Sequence, residues 1–456
     1  MSIHHGLVFF IPLYGRFSCS FRLISLSLQQ TGCIAATANK HLMKKATIIL
    51  LLWSVYATIA WAQYSRTFNG RIMSLQVVAG TRWTDMPIIE LGSDEAIHID
   101  FDDMTHESRR YIYKVEHCEA DWSTSDELLE SDYIEGFAQG NTIDDLQESV
   151  NTNVLYTHYH LALPNDRCRM KMSGNYRVTV YDEDNDNEKT LEACFMIVEP
   201  LMGLTVQVTT NTDGDINGRH QQLHMELNYG NQKINDWKRE VRTIIYQNGR
   251  WDNPAINPTP QYIKPDGLAW NHCRELIFDG GNEFRKFEIL DTDRPSMGID
   301  HVGWDGKEYH AFLWTDEPRP NYLYDEDANG AFFIRNSDNT EIDYTAEYMT
   351  VHFRLKIPRQ DGDVYLNGRW TGGLYLPPYR MKWNQEEQCY ENQVRLKQGY
   401  YNYQYVRIAP DGRPVGLASE GNYFQTENCY TALIYYKPLG GRSNRLVACC
   451  SVTSRR

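Results

Sequence analysis

Apolar and polar residues alternate in short runs along most of this chain, and turn-forming residues separate the runs. Within 176–181 the alternation places Tyr176, Val178 and Val180 on one face of a strand and the intervening residues on the other. Short alternating runs at this spacing are typical of strands in a β-sandwich. The predicted strands are 88–91, 96–101, 111–116, 156–163, 174–181, 194–198, 204–210, 223–229, 242–247, 275–278, 284–290, 348–357, 364–368, 390–396, 400–408 and 430–436.

Long amphipathic helices are not predicted after residue 62, and the 30 Tyr and 11 Trp fit half-buried, pleated surfaces. We therefore predict an all-β protein built from tandem β-sandwich domains. Turn-rich sequence at Glu199-Pro200 and around 360–362 suggests the domain boundaries. The predicted domains are 63–200, 201–357 and 358–456.

The sequence 43–62 has the features of a secretory signal peptide. Two lysines precede a short apolar stretch, and Ala60-Trp61-Ala62 supplies a small-x-small cleavage site. The stretch is shorter than a typical membrane span. We expect the mature chain to start at Gln63, and we interpret 1–42 as an over-extended gene prediction. An exported protein without direct membrane insertion is the expected result.

The charge and the cysteines narrow the possible functions. A net charge of −15 argues against binding to nucleic acid or to an anionic membrane surface, because both attract basic proteins. Eight cysteines follow residue 62, without a Cys-x-x-Cys pair that would indicate a zinc ribbon or a thioredoxin-type site. Export permits disulfides, but eight cysteines do not define a pairing, and mostly free thiols with one or two bridges is the simpler expectation.

Candidate metal ligands and catalytic carboxylates are scattered along the sequence. His158 and His160 share one face of a predicted strand, which suits a metal, but a third ligand is not apparent and a polar strand face explains them more simply. The Asp-rich stretches 182–187 and 213–218 lack the twelve-residue calcium register and fit hairpin turns better. Paired carboxylates occur at Asp102-Asp103, at Glu130 and Asp132, and at Glu386-Glu387. We predict no catalytic, cofactor-binding or metal-binding residues, and no cofactor.

The last region resembles the early-set immunoglobulin-like domains that include glycogen- and starch-binding modules. The likeness lies in 363–370, 381–384 and 396–406, where a strand leads to an aromatic loop and a Gly-Tyr-Tyr hairpin returns. Starch binders of this kind stack sugar rings on exposed Trp, and Trp370 and Trp383 are the candidates here. The alternative is that both Trp side chains fill a sandwich core or a domain interface.

A second resemblance covers nearly the whole mature chain. Its first block runs from Tyr111 to Glu199, and further matches follow in the middle and near the end of the chain. The motifs are His117-Cys118-x-x-Asp121-Trp122, Glu130-x-x-Tyr133-Ile134-x-Gly136-Phe137, Ser149-x-Asn151-Thr152, Tyr156-Thr157-His158-Tyr159, Leu163-Pro164-Asn165, Ser173-Gly174-Asn175-Tyr176, Phe278-Asp279-Gly280-Gly281-Asn282-Glu283-Phe284, Lys397-Gln398-Gly399-Tyr400-x-Asn402-Tyr403 and Glu420-Gly421-Asn422-x-x-x-Thr426-Glu427-Asn428. Together they resemble the plug protein family of the type IX secretion system.

The resemblance implies a function without chemistry. Plug proteins of this kind are periplasmic β-proteins that associate with the large outer-membrane translocon barrel and close its periplasmic opening. It therefore implies a periplasmic location, peripheral association with the outer membrane and no enzymatic activity. An exported carbohydrate-binding protein that uses the early-set-like domain is the alternative, and a glycan-processing enzyme is a weaker third hypothesis.

Overall fold

The computed structural model of this protein describes residues 65–454. The protein is nearly all β, with 47% of residues in strands and 6% in helices, which confirms the predicted fold class. The predicted signal peptide, its cleavage site and the 1–42 extension lie outside the described residues. Within residues 65–454, helices that combine the length and the hydropathy of a membrane span are absent.

The first sandwich packs two sheets around one core. Its strands are β1 (Arg66–Thr67), β2 (Ile72–Ala79), β3 (Ile88–Glu90), β4 (Ile97–Asp103), β5 (Tyr111–Cys118), β6 (Ile134–Gly136), β7 (Gln139–Thr142), β8 (Asp145–Glu148), β9 (Thr157–Leu163), β10 (Cys168–Met170), β11 (Gly174–Asp182) and β12 (Glu188–Val198). One sheet has the order β2-β4-β9-β8, and the other has the order β1-β12-β11-β5-β7 with β3 parallel to β12. Strands β6 and β10 form a small separate pair, and helix α1 (Glu130–Tyr133) is one turn long.

The alternation along β4 shows why these residues form a two-layer structure. Ile97, Ile99 and Phe101 point into the core of the first sandwich, where they are fully buried. Asp100 and Asp102 alternate with them and therefore lie on the opposite face of the sheet. This second face is covered by another part of the chain, and that contact positions the candidate site described below.

A second sandwich is built from two distant parts of the sequence, and we call it the discontinuous sandwich. Its strands are β13 (Gly203–Thr209), β14 (His220–Asn228), β15 (Val241–Gln247), β16 (Ala255–Ile256), β17 (Tyr262–Lys264), β18 (Gly267–Trp270), β19 (Ile277–Asp279), β30 (Cys429–Tyr436) and β31 (Arg445–Thr453). One sheet has the order β13-β14-β18-β17 with β19 beside β14, and the other has the order β16-β15-β30-β31. Helix α2 (Trp237–Glu240) precedes β15.

The third unit lies between the two parts of the discontinuous sandwich, and we call it the inserted sandwich. Its strands are β20 (Arg285–Ile289), β21 (Ile299–Trp304), β22 (Tyr309–Leu313), β23 (Phe332–Ile334), β24 (Tyr348–Leu355), β25 (Asp363–Asn367), β26 (Lys382–Asn384), β27 (Cys389–Lys397), β28 (Gly399–Ile408) and β29 (Pro414–Gly416). In one sheet β28 pairs with β20, β23, β25 and β29, and the other has the order β21-β22-β24-β27-β26. Helix α3 (Ile342–Thr345) precedes β24, and four short 3-10 helices complete the set: Arg274–Leu276, Arg369–Thr371, Pro377–Tyr379 and Ala418–Glu420.

Strand pairing divides the chain differently from the predicted ranges after residue 200. Strand β12 ends at Val198 and β13 begins at Gly203, next to the predicted first boundary. Strand β24 pairs with β27 along its whole length, so a boundary at 357/358 does not separate two sandwiches. The physical reason is that β15 pairs with β30, far along the chain, and local turn signals carry no information about such a partner.

Candidate interaction site at the junctions of the three sandwiches

The outer face of the sheet β2-β4-β9-β8 carries a ladder of acids and histidines. The register places His158 opposite Asp102 and His160 opposite Asp100, and cross-strand partners of this kind share a face of the sheet. His158 Nδ1 lies 2.8 Å from Asp102 Oδ1, and His160 Nδ1 lies 2.6 Å from Asp100 Oδ1. The imidazoles that the sequence suggested as metal ligands are therefore each bonded to a carboxylate. Strand β9 is an interior strand of its sheet, and His158 is buried.

A lysine from the inserted sandwich completes this group. Lys397 Nζ donates to Asp102 Oδ2 at 2.7 Å, and the hydroxyl of Tyr348 donates to the same oxygen at 2.6 Å. Lys397 Nζ also donates to the carbonyl of Asp343 at 2.6 Å and lies 4.2 Å from the ring centroid of Tyr156. The buried ammonium thus has an anion, a carbonyl and an aromatic face as partners. We call Asp102, His158, Tyr348 and Lys397 the Asp102 network.

Hydrogen bonds and nearby opposite charges stabilise the charged forms of Asp102 and His158 in this network. Burial alone would raise the pKa of Asp102, but Lys397 and the hydrogen bond from His158 outweigh burial and lower it. Burial alone would lower the pKa of His158, but hydrogen bonds to Asp100 and Asp102 raise it to about 9. His158 is therefore an imidazolium at neutral pH. Burial lowers the pKa of Lys397, and the attraction of Asp102 opposes that effect.

Further contacts close the same junction between the first and inserted sandwiches. The Glu347 carboxylate accepts hydrogen bonds from the backbone amides of Asn153 and Val154, the latter at 3.0 Å. The Tyr156 hydroxyl donates to the carbonyl of Ala346 at 2.8 Å, and its ring meets Tyr348 edge-on at 5.3 Å. A buried junction with this many directional contacts restricts relative motion of the two sandwiches.

The junction between the first and discontinuous sandwiches is mainly apolar. Trp122 is fully buried and meets Trp251 edge-on at 5.4 Å. The Tyr435 hydroxyl donates to Asn175 Oδ1 at 2.7 Å, which joins the two sandwiches through a buried hydrogen bond. The shared core of this junction consists of Met86, Cys118, Ala120, Trp122, Cys194, Met196, Ile244, Tyr246, Leu433, Tyr435 and Leu446.

The chain enters and leaves the inserted sandwich through two adjacent connections. Gly281 N donates to Asn422 Oδ1 at 2.9 Å, and Asn282 Nδ2 donates to the carbonyl of Glu420 at 2.8 Å. Thr426 Oγ1 donates to the carbonyl of Gly281 at 2.9 Å. At Gly280 a Cβ atom would lie 2.1 Å from the Tyr423 carbonyl oxygen, so only glycine fits there. The Asp-Gly-Gly-Asn and Glu-Gly-Asn motifs thus bind each other and fix this third junction.

A cavity of about 240 Å³ lies where the three sandwiches meet. The first sandwich contributes Gln76 and Trp83, the discontinuous sandwich Trp251, and the inserted sandwich Arg369 and Trp370. Arg369 Nη1 donates across the cavity wall to the carbonyl of Asp85 at 2.9 Å. A hydrogen bond between two sandwiches therefore forms part of the cavity wall.

The two candidate sugar platforms occupy different environments. Trp370 donates from Nε1 to the carbonyl of Asn402 at 2.8 Å, and its ring packs against Phe353, Tyr379 and Tyr401. Trp383 lies on the edge strand β26, packs against Tyr390 and is half-buried. Both side chains pack against the core of the inserted sandwich.

The Asp-rich stretches form turns in which several carboxylates already accept hydrogen bonds from the protein. Asp182 is fully buried and accepts from Arg71 at 2.6 Å, and Asp184 accepts from the amide of Arg110. Asp213 is bonded to His272, and Asp215 to His220 and to the amide of Arg219. The stretches belong to the β11–β12 connection and to the connection before β14.

The residues of the predicted carboxylate pairs make hydrogen bonds within the fold, and the cysteines do not form disulfides in the described residues. Asp103 points away from Asp102 and accepts from the Tyr111 hydroxyl at 2.8 Å. Asp132 accepts from the Leu129 amide before helix α1 and from Arg442, and the Glu386 and Glu387 amides donate to Asn384 in an exposed turn. The described cysteines are all free thiols: Cys118, Cys168, Cys194, Cys273, Cys389, Cys429, Cys449 and Cys450.

Sequence reasoning missed the Asp102 network. In the sequence Asp102 stands out only as a neighbour of Asp103, and Lys397 only as the first residue of a motif shared with the plug family. The local sequence does not mark Lys397 as buried, because it follows the predicted strand 390–396 directly and lies between Leu396 and the polar Gln398. A lysine at a buried strand position requires an anionic partner, but its identity depends on how distant sandwiches dock.

The comparisons with known proteins agree with the resemblance described above. Residues 72–199 match the family described as the type 9 secretion system plug protein 1st domain. The crystal structure of a hypothetical protein from Parabacteroides merdae ATCC 43184 matches with a TM-score of 0.83 and 38% identity, over 86% of this chain and 99% of that chain. The native conformation of E. coli alpha-2-macroglobulin matches with a TM-score of 0.16 and 11% identity, over 86% of this chain and 23% of that chain, and supports no inference. Among curated proteins there is no match.

The matched region coincides with a structural unit. It runs from the first residue of β2 to the residue after β12, which is the first sandwich apart from β1. This family is a secretion-system plug family rather than an enzyme family, and it associates the chain with type 9 secretion in the cell envelope. The match identifies the family that the motifs resemble, and the first sandwich of this chain belongs to the type 9 secretion system plug protein 1st domain family.

Proposed function

We propose that this protein is the periplasmic plug subunit that closes the periplasmic opening of the large outer-membrane translocon barrel of type 9 secretion. The observation that carries the proposal is the match of the first sandwich to the plug family. Such a protein acts by occupying a space, so it needs no catalytic centre and no cofactor. It works as a soluble subunit held peripherally at the outer membrane by the barrel.

The geometry of the junctions supports a stopper. A β-barrel that passes folded proteins has a lumen wide enough to leak small molecules. A stopper made of freely moving domains would leave gaps, because domains joined only by linkers move relative to one another. Here the first sandwich is joined to the inserted sandwich through the Asp102 network and to the discontinuous sandwich through the Trp122 core. The three units therefore act as one body.

Co-purification from outer membranes tests the proposed partner. The chain with a C-terminal affinity tag is expressed in its own host, and detergent-solubilised outer membranes are passed over the affinity resin. We expect one very large barrel protein to be retained with it. A tagged exported protein of another family, treated in the same way, is the control. If the barrel is present in the extract but is absent from the eluate under conditions that keep barrel complexes intact, the proposed partner is wrong.

The alternative glycan-binding function has weaker support. Three aromatic rings contact Trp370 and its indole N–H is bonded to a carbonyl, so a sugar platform would depend on Trp383. Retention of the purified chain on insoluble glucan, lost in Trp383→Ala, would favour that alternative over the plug.

A further inference from the structure

The β21–β22 hairpin brings three potential metal ligands together at one end of the inserted sandwich. Asp305 and Glu308 are the first and last residues of its turn, and His310 is the second residue of β22. One ligand atom from each of the three side chains lies within 4.8 Å of the others. The sequence analysis did not predict this set, because a hairpin turn brings the three ligands together and their spacing matches no known metal-binding motif.

Hydrogen bonds from neighbouring residues orient the carboxylates of Asp305 and Glu308. Asp305 Oδ1 accepts from the backbone amides of Lys307 and Glu308, both at 2.8 Å, which leaves Oδ2 directed toward the imidazole. Glu308 Oε2 accepts from Arg395 at 2.5 Å and leaves its other oxygen available. Asn153 of the first sandwich donates to the carbonyl of Lys307 at 2.9 Å and holds the turn from the other side.

The imidazole of His310 presents one nitrogen to these acids. Its Nδ1 lies 2.9 Å from His352 Nε2, within hydrogen-bond distance, and this contact orients the ring. Its Nε2 lies 3.2 Å from Asp305 Oδ2 and is shielded from solvent, and Asp305 is its one close polar partner in the part of the chain that the structure describes. When Nδ1 donates to His352, Nε2 carries a lone pair that faces two carboxylates. A positive charge between them removes that repulsion.

We propose that Asp305, Glu308 and His310 bind a divalent first-row transition metal ion. Zinc bonds to nitrogen and oxygen of about 2.0–2.2 Å at tetrahedral angles place two ligand atoms about 3.4 Å apart, close to the observed 3.2 Å between Asp305 Oδ2 and His310 Nε2. An imidazole with two carboxylates suits Zn²⁺ or Mn²⁺ better than an all-oxygen Ca²⁺ site. The contact of His310 Nδ1 with His352 is the kind of outer interaction that orients a metal-binding imidazole.

The competing interpretation of this side-chain cluster is that it forms two ion pairs and binds no metal. In that arrangement a protonated His310 faces Asp305, Arg395 neutralises Glu308, and no metal binds. The two interpretations differ in what happens when Arg395 is changed. Removing the guanidinium frees both Glu308 oxygens and a positive charge leaves the site, so Arg395→Gln should increase metal affinity if the site is real.

Calorimetric titration of the EDTA-treated mature chain with ZnCl₂ tests the proposal. We expect one binding event that weakens at least about tenfold in Asp305→Asn and in His310→Gln, since each variant loses a ligand. His272→Gln is the matched control, because His272 forms an exposed His–Asp pair elsewhere and should leave the affinity unchanged. Circular dichroism of each variant checks that the fold persists. Substitution with Co²⁺ should also give a visible absorption band that His310→Gln abolishes.

Three results would overturn the proposal. One is no zinc binding by the wild-type chain. Another is binding that both ligand variants leave unchanged. The third is tighter binding of Ca²⁺ than of Zn²⁺, with no effect of His310→Gln, which would indicate an oxygen-only site. None of these results bears on the plug function, so the two proposals fail independently.

Discussion

Lys397 Nζ and Asp102 Oδ2 lie 2.7 Å apart, although the two residues are separated by 295 positions and belong to different sandwiches. Their side chains are 2% and 1% exposed. Removing one partner of a buried pair leaves the other charge without compensation, which costs far more than losing a surface pair. This relationship makes the junction between the first and inserted sandwiches testable by single substitutions.

Lys397→Met should lower the free energy of unfolding by about 3 kcal/mol, because the buried Asp102 loses its ammonium partner and keeps only His158 and the Tyr348 hydroxyl. Urea unfolding followed by tryptophan fluorescence measures the change. Lys382→Met on the exposed edge of β26 is the control and should shift stability by less than about 0.5 kcal/mol. The double variant Lys397→Met/Asp102→Asn should recover part of the loss. Equal effects of the two single lysine variants would show that the pair does not stabilise the junction.

The stability that His158 contributes should depend on pH. The pKa of His158 rises from an ordinary 6.5 to about 9 on folding, because its hydrogen bonds to Asp100 and Asp102 outweigh burial. Its contribution, on the order of 3 kcal/mol, is therefore fully present below about pH 6.5 and is lost as the pH rises through about 9. Urea unfolding of the wild type and His158→Gln at pH 6 and pH 10 should show a larger difference at pH 6. A difference that grows with pH would contradict this charge assignment.

Asp100 should make the stability of the fold depend on pH in the acidic range. Burial would raise its pKa, but hydrogen bonds from His158 and His160 outweigh burial and lower it. Its contribution is present above its ordinary pKa and is lost as the pH falls through the lowered value. The Asp100→Asn variant lacks this titrating carboxylate. Its free energy of unfolding should therefore fall less steeply than that of the wild type as the pH drops below about 4. An unchanged acid profile would exclude Asp100 from the network.

The buried hydrogen bond between Tyr435 and Asn175 tests the second junction. Tyr435→Phe leaves Asn175 Oδ1 without this donor and should cost about 1–3 kcal/mol. Tyr262→Phe, at a position that is 55% exposed, is the matched control and should be nearly neutral. Thermal unfolding by differential scanning calorimetry compares them. Equal midpoints for the two variants would mean that the hydroxyl of Tyr435 contributes nothing to the junction.

The two tryptophans of the inserted sandwich should separate structure from sugar binding. Trp370→Ala should destabilise the protein by about 3–5 kcal/mol, because it empties a position packed by three aromatic rings. Trp383→Ala should cost less, because this side chain lies on an edge strand. Glucan retention should be absent in the wild type and in both variants. Retention that Trp383→Ala abolishes would restore the carbohydrate-binding hypothesis.

The strands were predictable from sequence because their signal is local. The predicted strand 400–408 differs from β28 (Gly399–Ile408) by one residue, and Tyr176, Val178 and Val180 lie in the core as the alternation predicted. The alternation depends only on which face of a strand meets the core. Strand β2 and the β21–β22 hairpin were missed, because polar residues interrupt their apolar runs.

The order of the sandwiches and the candidate site were not predictable in the same way. Pairing of β15 with β30 joins segments almost two hundred residues apart, and no local pattern encodes it. For the same reason the alternation placed His158 and His160 on one strand face without revealing that Lys397 would meet that face. The family motifs were visible as sequence, but their role in binding one connection to the other required the fold.

The central claim is that this protein closes a wide barrel, and the permeability of the outer membrane tests it most directly. Uptake of vancomycin is compared in the wild type, in cells lacking this protein, and in cells lacking both this protein and the translocon barrel. We predict that single-deletion cells admit vancomycin and that the double deletion restores the barrier, because the open path is then gone. Normal exclusion of vancomycin by single-deletion cells whose barrels are present and unoccupied would contradict the plug assignment.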